Sequence, residues 1–180
     1  EFSLLSVELN LQANNPAAAL LNLDNERFLN LQLYFGQQYL RRVLSVRSDI
    51  NTQRGDGLAS IGNSIALSAL LETRADITNV HNKIWRQLAR QTYSNLQTCQ
   101  TSADEIMAGW CRLAHDNRRY QNNQQVQRIQ FGAWKASNSN HPAALVSPSW
   151  FKQSLDNSTP LQVAILLPLQ GQYKGPSTTF

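Results

Sequence analysis

The chain has 180 residues, 42% of them apolar and 16% charged, with a formal net charge of +4. That length holds one domain of ordinary size, or one with a fragment of another, and 17 asparagines and 18 glutamines make the polar remainder amide-rich. A charged disordered tail, a membrane-spanning helix and a disulfide scaffold are all excluded: the longest apolar run, residues 163–169, falls far short of the ~20 residues a span requires, and there are two cysteines. Glu1-Phe2-Ser3 has neither the basic nor the apolar region of an export signal, so any such signal is expected upstream of Glu1.

In chain order, Leu4, Val7 and Leu11 recur at three and four residues and predict a first helix. Asn15-Pro16 breaks it and starts another, since asparagine suits a cap and proline a first turn that needs no backbone donor. Residues 3–24 thus read as a helical hairpin. Phe28, Leu31, Phe35, Tyr39, Val43 and Val46 form the stripe of a long helix, with Arg27, Arg41, Arg42 and Arg47 around it. Asn51-Thr52-Gln53-Arg54-Gly55-Asp56-Gly57 reads as a loop. Its Arg54-Gly55-Asp56 spells an adhesion tripeptide, but so short a match recurs by chance too often to carry weight and is read as loop.

Leu58, Ile61, Ile65 and Ala69 predict the next helix. Ile77, Val80, Ile84 and Leu88 predict another, its buried arc widened by Trp85, Ala89, Tyr93 and Leu96. Ser102-Ala103-Asp104-Glu105 reads as a capping box, with Ser102 as cap, ahead of Ile106, Trp110 and Leu113. Val126, Ile129, Ala133 and Trp134 close the series, and His141-Pro142 argues against continuation. The result is an all-α unit of about seven helices, stacked as hairpins in a short solenoid with degenerate repeats. Pro148, Lys152, Asn157, Ser158 and Pro160 then mark a polar linker, and residues 162–169 suit a strand buried on both faces, the start of a truncated α/β domain.

Arg112, Arg118, Arg119 and Arg128, against Asp116, give residues 112–128 a positive excess. Clustered cations can track a polyanion, but no RNA-binding or zinc-finger pattern accompanies them, so they read as a solvated helix face and no nucleic-acid partner is expected. Cys99 and Cys111 have no histidine at ligand spacing, while His81, His115 and His141 are scattered, so no metal and no cofactor is expected. Structural thiols are favoured over a catalytic Cys–His pair. A disulfide depends on compartment. Cys111 lies about 13 Å up the helix that Ser102 caps, and a bridge needs Cα atoms within roughly 7 Å, so residues 97–103 would have to fold back. The pairing stays open. Trp85, Trp110 and Trp134 lie on apolar stripes and read as core rather than as ligand-stacking residues. Trp150 and Phe151, near the linker, are expected to pin it against the last helices.

Val163-Ala164-Ile165-Leu166-Leu167-Pro168-Leu169-Gln170-Gly171 resembles the first strand and turn of the second domain in the LpoA family of outer-membrane lipoproteins. Leu4-Leu5-Ser6-Val7-Glu8 followed by Asn15-Pro16-Ala17-Ala18-Ala19-Leu20-Leu21 is similar to one of its helical hairpins. Ile84-Trp85-Arg86-Gln87-Leu88, Gly109-Trp110, Ala133-Trp134 and His141-Pro142-Ala143-Ala144 follow in the family's order, and residues 26–75 match more loosely. The resemblance implies a tetratricopeptide-like helical domain over residues 1–145, a linker over 146–160, and over 161–180 the first strand of a truncated periplasmic-binding-protein-like α/β domain. It further implies a non-catalytic regulator of peptidoglycan synthesis that activates a bifunctional class A penicillin-binding protein from the outer membrane. The helical part would be a rigid arm and the second domain the main contact, with peptidoglycan as a further partner. The protein would be periplasmic, tethered through a lipid anchor upstream of this chain.

Two other readings are a lytic transglycosylase-like helical enzyme and a generic tetratricopeptide-like peptide-binding scaffold. The enzyme needs a carboxylic acid of raised pKa in an aromatic cleft. Of Glu8, Glu26, Glu72 and Glu105, none is followed by that family's serine; Glu105 belongs to the capping box and Glu72 stands near Arg74. No catalytic residue is assigned. The scaffold reading differs mainly in its partner.

Overall fold

The computed structural model describes residues 2–24 and 36–151. Phe28, Leu31, Phe35, Arg27 and Glu26, most of the linker, and the strand expected over residues 162–169 lie outside these. The described residues form α1 (Phe2–Gln12), α2 (Pro16–Leu23), α3 (Gly36–Gln53), α4 (Gly57–Ser68), α5 (Arg74–Arg90), α6 (Tyr93–Cys99), α7 (Glu105–Arg119), α8 (Gln124–Ser137) and α9 (Pro142–Leu145), with no strand among them. None of these helices is long and apolar enough to cross a membrane.

Short polar side chains start most of these helices by accepting first-turn backbone N–H bonds. Asn15 accepts from Ala18, Asp56 from Ala59, Thr73 from Asp76, Thr92 from Asn95, and Asn123 from Val126. Several boundaries differ from those the sequence predicts. Residues 51–53 belong to α3, because Asn51 is buried and the Thr52 hydroxyl bonds the Ser48 carbonyl and the Ser60 hydroxyl. The turn shrinks to residues 54–56, where Gly55 takes φ +80° and Asp56 is spent as the cap of α4. The helix expected to run from Ile77 through Leu96 is two: Gln91 is extended, Thr92 caps a new start, and Ala89 and Tyr93 are exposed. The cap of α7 is Asp104 rather than Ser102. Its carboxylate accepts from both Ile106 and Met107, while Ser102 accepts from Asp104 itself, and Glu105 is left exposed in the first turn. His141-Pro142 starts α9, since proline is accommodated at the first position of a helix.

Two separate apolar clusters result. Leu4, Val7, Ala19, Leu23, Val43, Val46 and Ile50 join α1, α2 and α3. The other unites α4 through α9 around Ile61, Ile84, Leu88, Trp110, Phe131 and Phe151. Between them α3 packs on α4 through buried hydroxyls: Ser48 Oγ lies 3.0 Å from Ser60 Oγ and 2.8 Å from Ser64 Oγ. Ser60 also donates to the Ser48 carbonyl, and Gln87 of α5 donates to Thr52. The α3 side chains Arg42, Arg47 and Asp49 pair with Glu8, Asp24 and Lys83, and Arg41 reaches Glu72. Each such exposed pair contributes at most about 1 kcal/mol, so they orient neighbours more than they stabilise them.

Candidate functional site

One face of α5 holds the segment that leaves the helical unit. His81, Asn82 and Trp85 lie within about one turn of each other and take successive points of residues 146–151. His81 Nδ1 donates to the Val146 carbonyl at 2.6 Å. Asn82 makes a two-way grip: its Oδ1 accepts from the Ser149 backbone N–H at 2.8 Å and its Nδ2 donates to the Ser149 hydroxyl at 3.0 Å. Trp85 stacks on Trp150, with centroids 5.7 Å apart and planes at 24°, and meets Phe151 edge-on at 4.6 Å. Phe151 is buried and stacks on Phe131 of α8 at 4.2 Å. Trp150 and Phe151, singled out from sequence, therefore pack on α5 and α8, while Pro148 between the polar grips is fully buried.

Behind this clamp lies Trp110, fully buried, with His81 edge-on at 5.2 Å and His141 at 5.7 Å. His141 Nδ1 accepts from Ala143 N–H, so its proton sits on Nε2, which donates to the Ile106 carbonyl at 2.9 Å. The ring fits because residue 109 is glycine: a Cβ there would stand 2.7 Å from His141 Cδ2 and Nε2. Burial lowers the pKa of His81 below the ordinary 6.5, opposed by its bond to Val146 and aided by His141. Burial likewise lowers that of His141, with Ile106 opposing, Arg112 aiding and Asp104 opposing. Both rings are thus neutral in the fold but charge readily once unfolded. The unfolded state takes up protons first as pH falls below 6.5, so stability is complete above that value and declines toward the lowered native values. We expect the thermal midpoint to fall between pH 7.5 and 5.5, and to fall less steeply in His81→Leu; a flat profile in the unmodified chain would contradict this.

Cys99 and Cys111 are joined as a disulfide with Cα atoms 5.8 Å apart. Residues 100–104 do fold back, laying α6 against α7. The other residues marked from sequence are dispersed. Trp110 and Trp134 are buried and Trp85 half-buried. Arg118 donates to the Gln91 carbonyl and Arg119 lies over the Tyr120 ring. Glu8 is bound bidentately by Arg42, whereas Glu72 and Glu105 stand exposed. Among the described residues no three His, Cys, Asp or Glu side chains are grouped to hold a metal ion.

A family model described as "LppC putative lipoprotein" matches residues 1–180. The chain belongs to the LppC lipoprotein family. Among LppC relatives, the penicillin-binding protein activator LpoA of Edwardsiella ictaluri is 32% identical over 97% of this chain and 25% of its own length. That of Mannheimia succiniciproducens is 31% identical over 75% of this chain and 24% of its own. The chain therefore spans about a quarter of the length of the curated relatives it matches. The N-terminal domain of LpoA from Haemophilus influenzae superposes with a TM-score of 0.79 at 17% identity, over 87% of this chain and 69% of that one. Full-length LpoA from the same organism gives 0.80 at 20%, over 94% and 31%. The helical fold is accordingly that of the LpoA N-terminal domain.

Within this LppC chain, sequence reasoning missed the parts of the clamp contributed by His81 and Asn82. His81 looked like one of three scattered histidines, and an asparagine among 17 attracts no notice. The available signal was spacing: positions 81, 82 and 85 share one helical face with the aromatic stripe.

Proposed function

We propose that this chain supplies the helical arm of a non-catalytic activator of peptidoglycan synthesis. The arm is periplasmic and held to the outer membrane by a lipid anchor carried elsewhere in the protein. Its helices stack as a tetratricopeptide-like solenoid over residues 1–145. The segment 146–160 links this to a periplasmic-binding-protein-like domain that begins at about residue 161 and makes the main contact with a class A penicillin-binding protein. Peptidoglycan, through which the arm reaches, is a second partner. Activation is a population shift: the activator binds the active synthase conformation more tightly and so favours it.

The observation that carries this reading is the family match along the whole chain, with relatives named penicillin-binding protein activators. The clamp supports the arm's role, because three consecutive grips on residues 146–151 orient whatever follows. The test is polymerisation of lipid-linked precursor by a purified class A penicillin-binding protein, with and without the complete protein. Added protein should raise the rate and leave finished peptidoglycan uncut. Cleavage of peptidoglycan, or no stimulation, would reject the proposal.

The clamp makes its own prediction. Trp150→Ala with Phe151→Ala in a two-domain protein should broaden the distribution of distances between the domains in small-angle scattering, while far-ultraviolet circular dichroism is retained. An unchanged distribution would show that these rings do not restrict the junction.

A further inference from the structure

Beside the clamp, α5, α6 and α7 enclose a cleft of about 310 Å³ whose end wall is the stacked Trp85–Trp150 pair. Leu88, Ala89, Leu96 and Ala114 line its sides, and Asn117, Arg118 and Gln121 line its polar edge. Among the described residues no acidic side chain lines it. Arg118 Nη1 is fastened to the Gln91 carbonyl, which holds the guanidinium at the edge, and among the described residues no carboxylate pairs with it. Trp150 keeps 36% of its surface exposed although its neighbour Phe151 is buried.

We infer that this cleft docks a peptide segment carrying one large apolar side chain next to a carboxylate. The apolar side chain enters between the indole pair and the alkyl walls, where burial is favourable. The carboxylate takes the free side of the Arg118 guanidinium, a geometry suited to two parallel bonds. Asn117 and Gln121 offer donors and acceptors to the peptide backbone. Charge selects the same ligand: Arg118 and Arg119 both stand in the last turn of α7, against Asp116 nearby in sequence. A sugar fits less well. Its hydroxyls would lose water against walls of leucine and alanine that return no hydrogen bond. This docking role is independent of the activator reading, which places the main contact outside the described residues.

The four indole N–H resonances of the ¹⁵N-labelled chain report the site directly. Titration with the acetylated, amidated tetrapeptide Glu-Leu-Phe-Asp should shift those of Trp85 and Trp150 and leave those of the buried Trp110 and Trp134 in place. Lys-Leu-Phe-Lys and Glu-Ala-Ala-Asp should give no comparable shift. Gln121→Glu and, independently, Ala89→Glu each place a like charge at the cleft and should weaken binding by about fivefold or more. Arg54→Gln removes one positive charge at the distant α3–α4 turn and should leave binding unchanged. Equal response to the acidic and basic peptides, no shift at all, insensitivity to both glutamate variants, or a response to chitotetraose alone would each overturn the inference.

Discussion

Trp110→Ala lowers the free energy of unfolding by about 3–5 kcal/mol, the range for removing a fully buried tryptophan. The indole is inaccessible to solvent and its removal opens a cavity in the larger apolar cluster. Collapse around that cavity is restricted. The His81 and His141 rings on either side are held by the Val146 and Ile106 carbonyls, and moving them breaks buried hydrogen bonds. Urea unfolding measures the loss, and near-ultraviolet circular dichroism reports whether the Trp85–Trp150 stack persists. Trp110→Phe, which keeps an aromatic edge against both histidines, should recover more than half of the loss. A change below about 1 kcal/mol for the alanine variant would mean that the cluster closes over the gap, contrary to the expected cavity cost.

Removing the disulfide has the second largest expected effect. Cys99 and Cys111 are 12 residues apart, and closing a loop of that size in the unfolded chain is worth about 3 kcal/mol. Both positions are buried, so Cys99→Ala with Cys111→Ala is the suitable replacement; serine would leave hydroxyls in an apolar environment. The damage should concentrate in α6. With seven residues it is too short to persist on its own, and the bridge fixes its last residue to the middle of α7. Amide exchange should accelerate in α6 well before it does in α5. Equal unfolding free energies with and without reductant would show that the bridge adds nothing to stability.

Helix positions were legible because apolar residues recur at helical spacing and because Asn15-Pro16 states its own role. Boundaries were less so. Asn51-Thr52-Gln53 is polar and reads as loop until Ser60 and Gln87 supply the partners that keep it helical. Leu88, Trp85 and Leu96 stay in phase across Gln91-Thr92, so periodicity alone passes over the break; the threonine cap was the local sign. Ser102 and Asp104 are both competent caps, and only the bonds from Ile106 and Met107 decide between them. Within the clamp, Trp150 and Phe151 stood out because two aromatics beside a polar linker need an explanation. His81 and Asn82 did not, because their partners, two backbone groups and the Ser149 hydroxyl, lie more than 60 positions away, and a backbone group carries no signature in sequence. The two buried histidines illustrate the same limit. Their neutrality follows from what surrounds them, not from their spacing.

The hydroxyl seam between α3 and α4 has a mechanical consequence. Greasy contacts tolerate sliding, because one methyl substitutes for another along the ridge. Hydroxyls do not, since each must meet a particular acceptor. Displacing α4 along α3 by half a turn, about 2.7 Å, would carry Ser60 and Ser64 out of reach of the Ser48 hydroxyl and carbonyl in a buried interface. Tension applied along the chain therefore meets a keyed joint at the boundary of the two halves, one that holds its alignment until it shears.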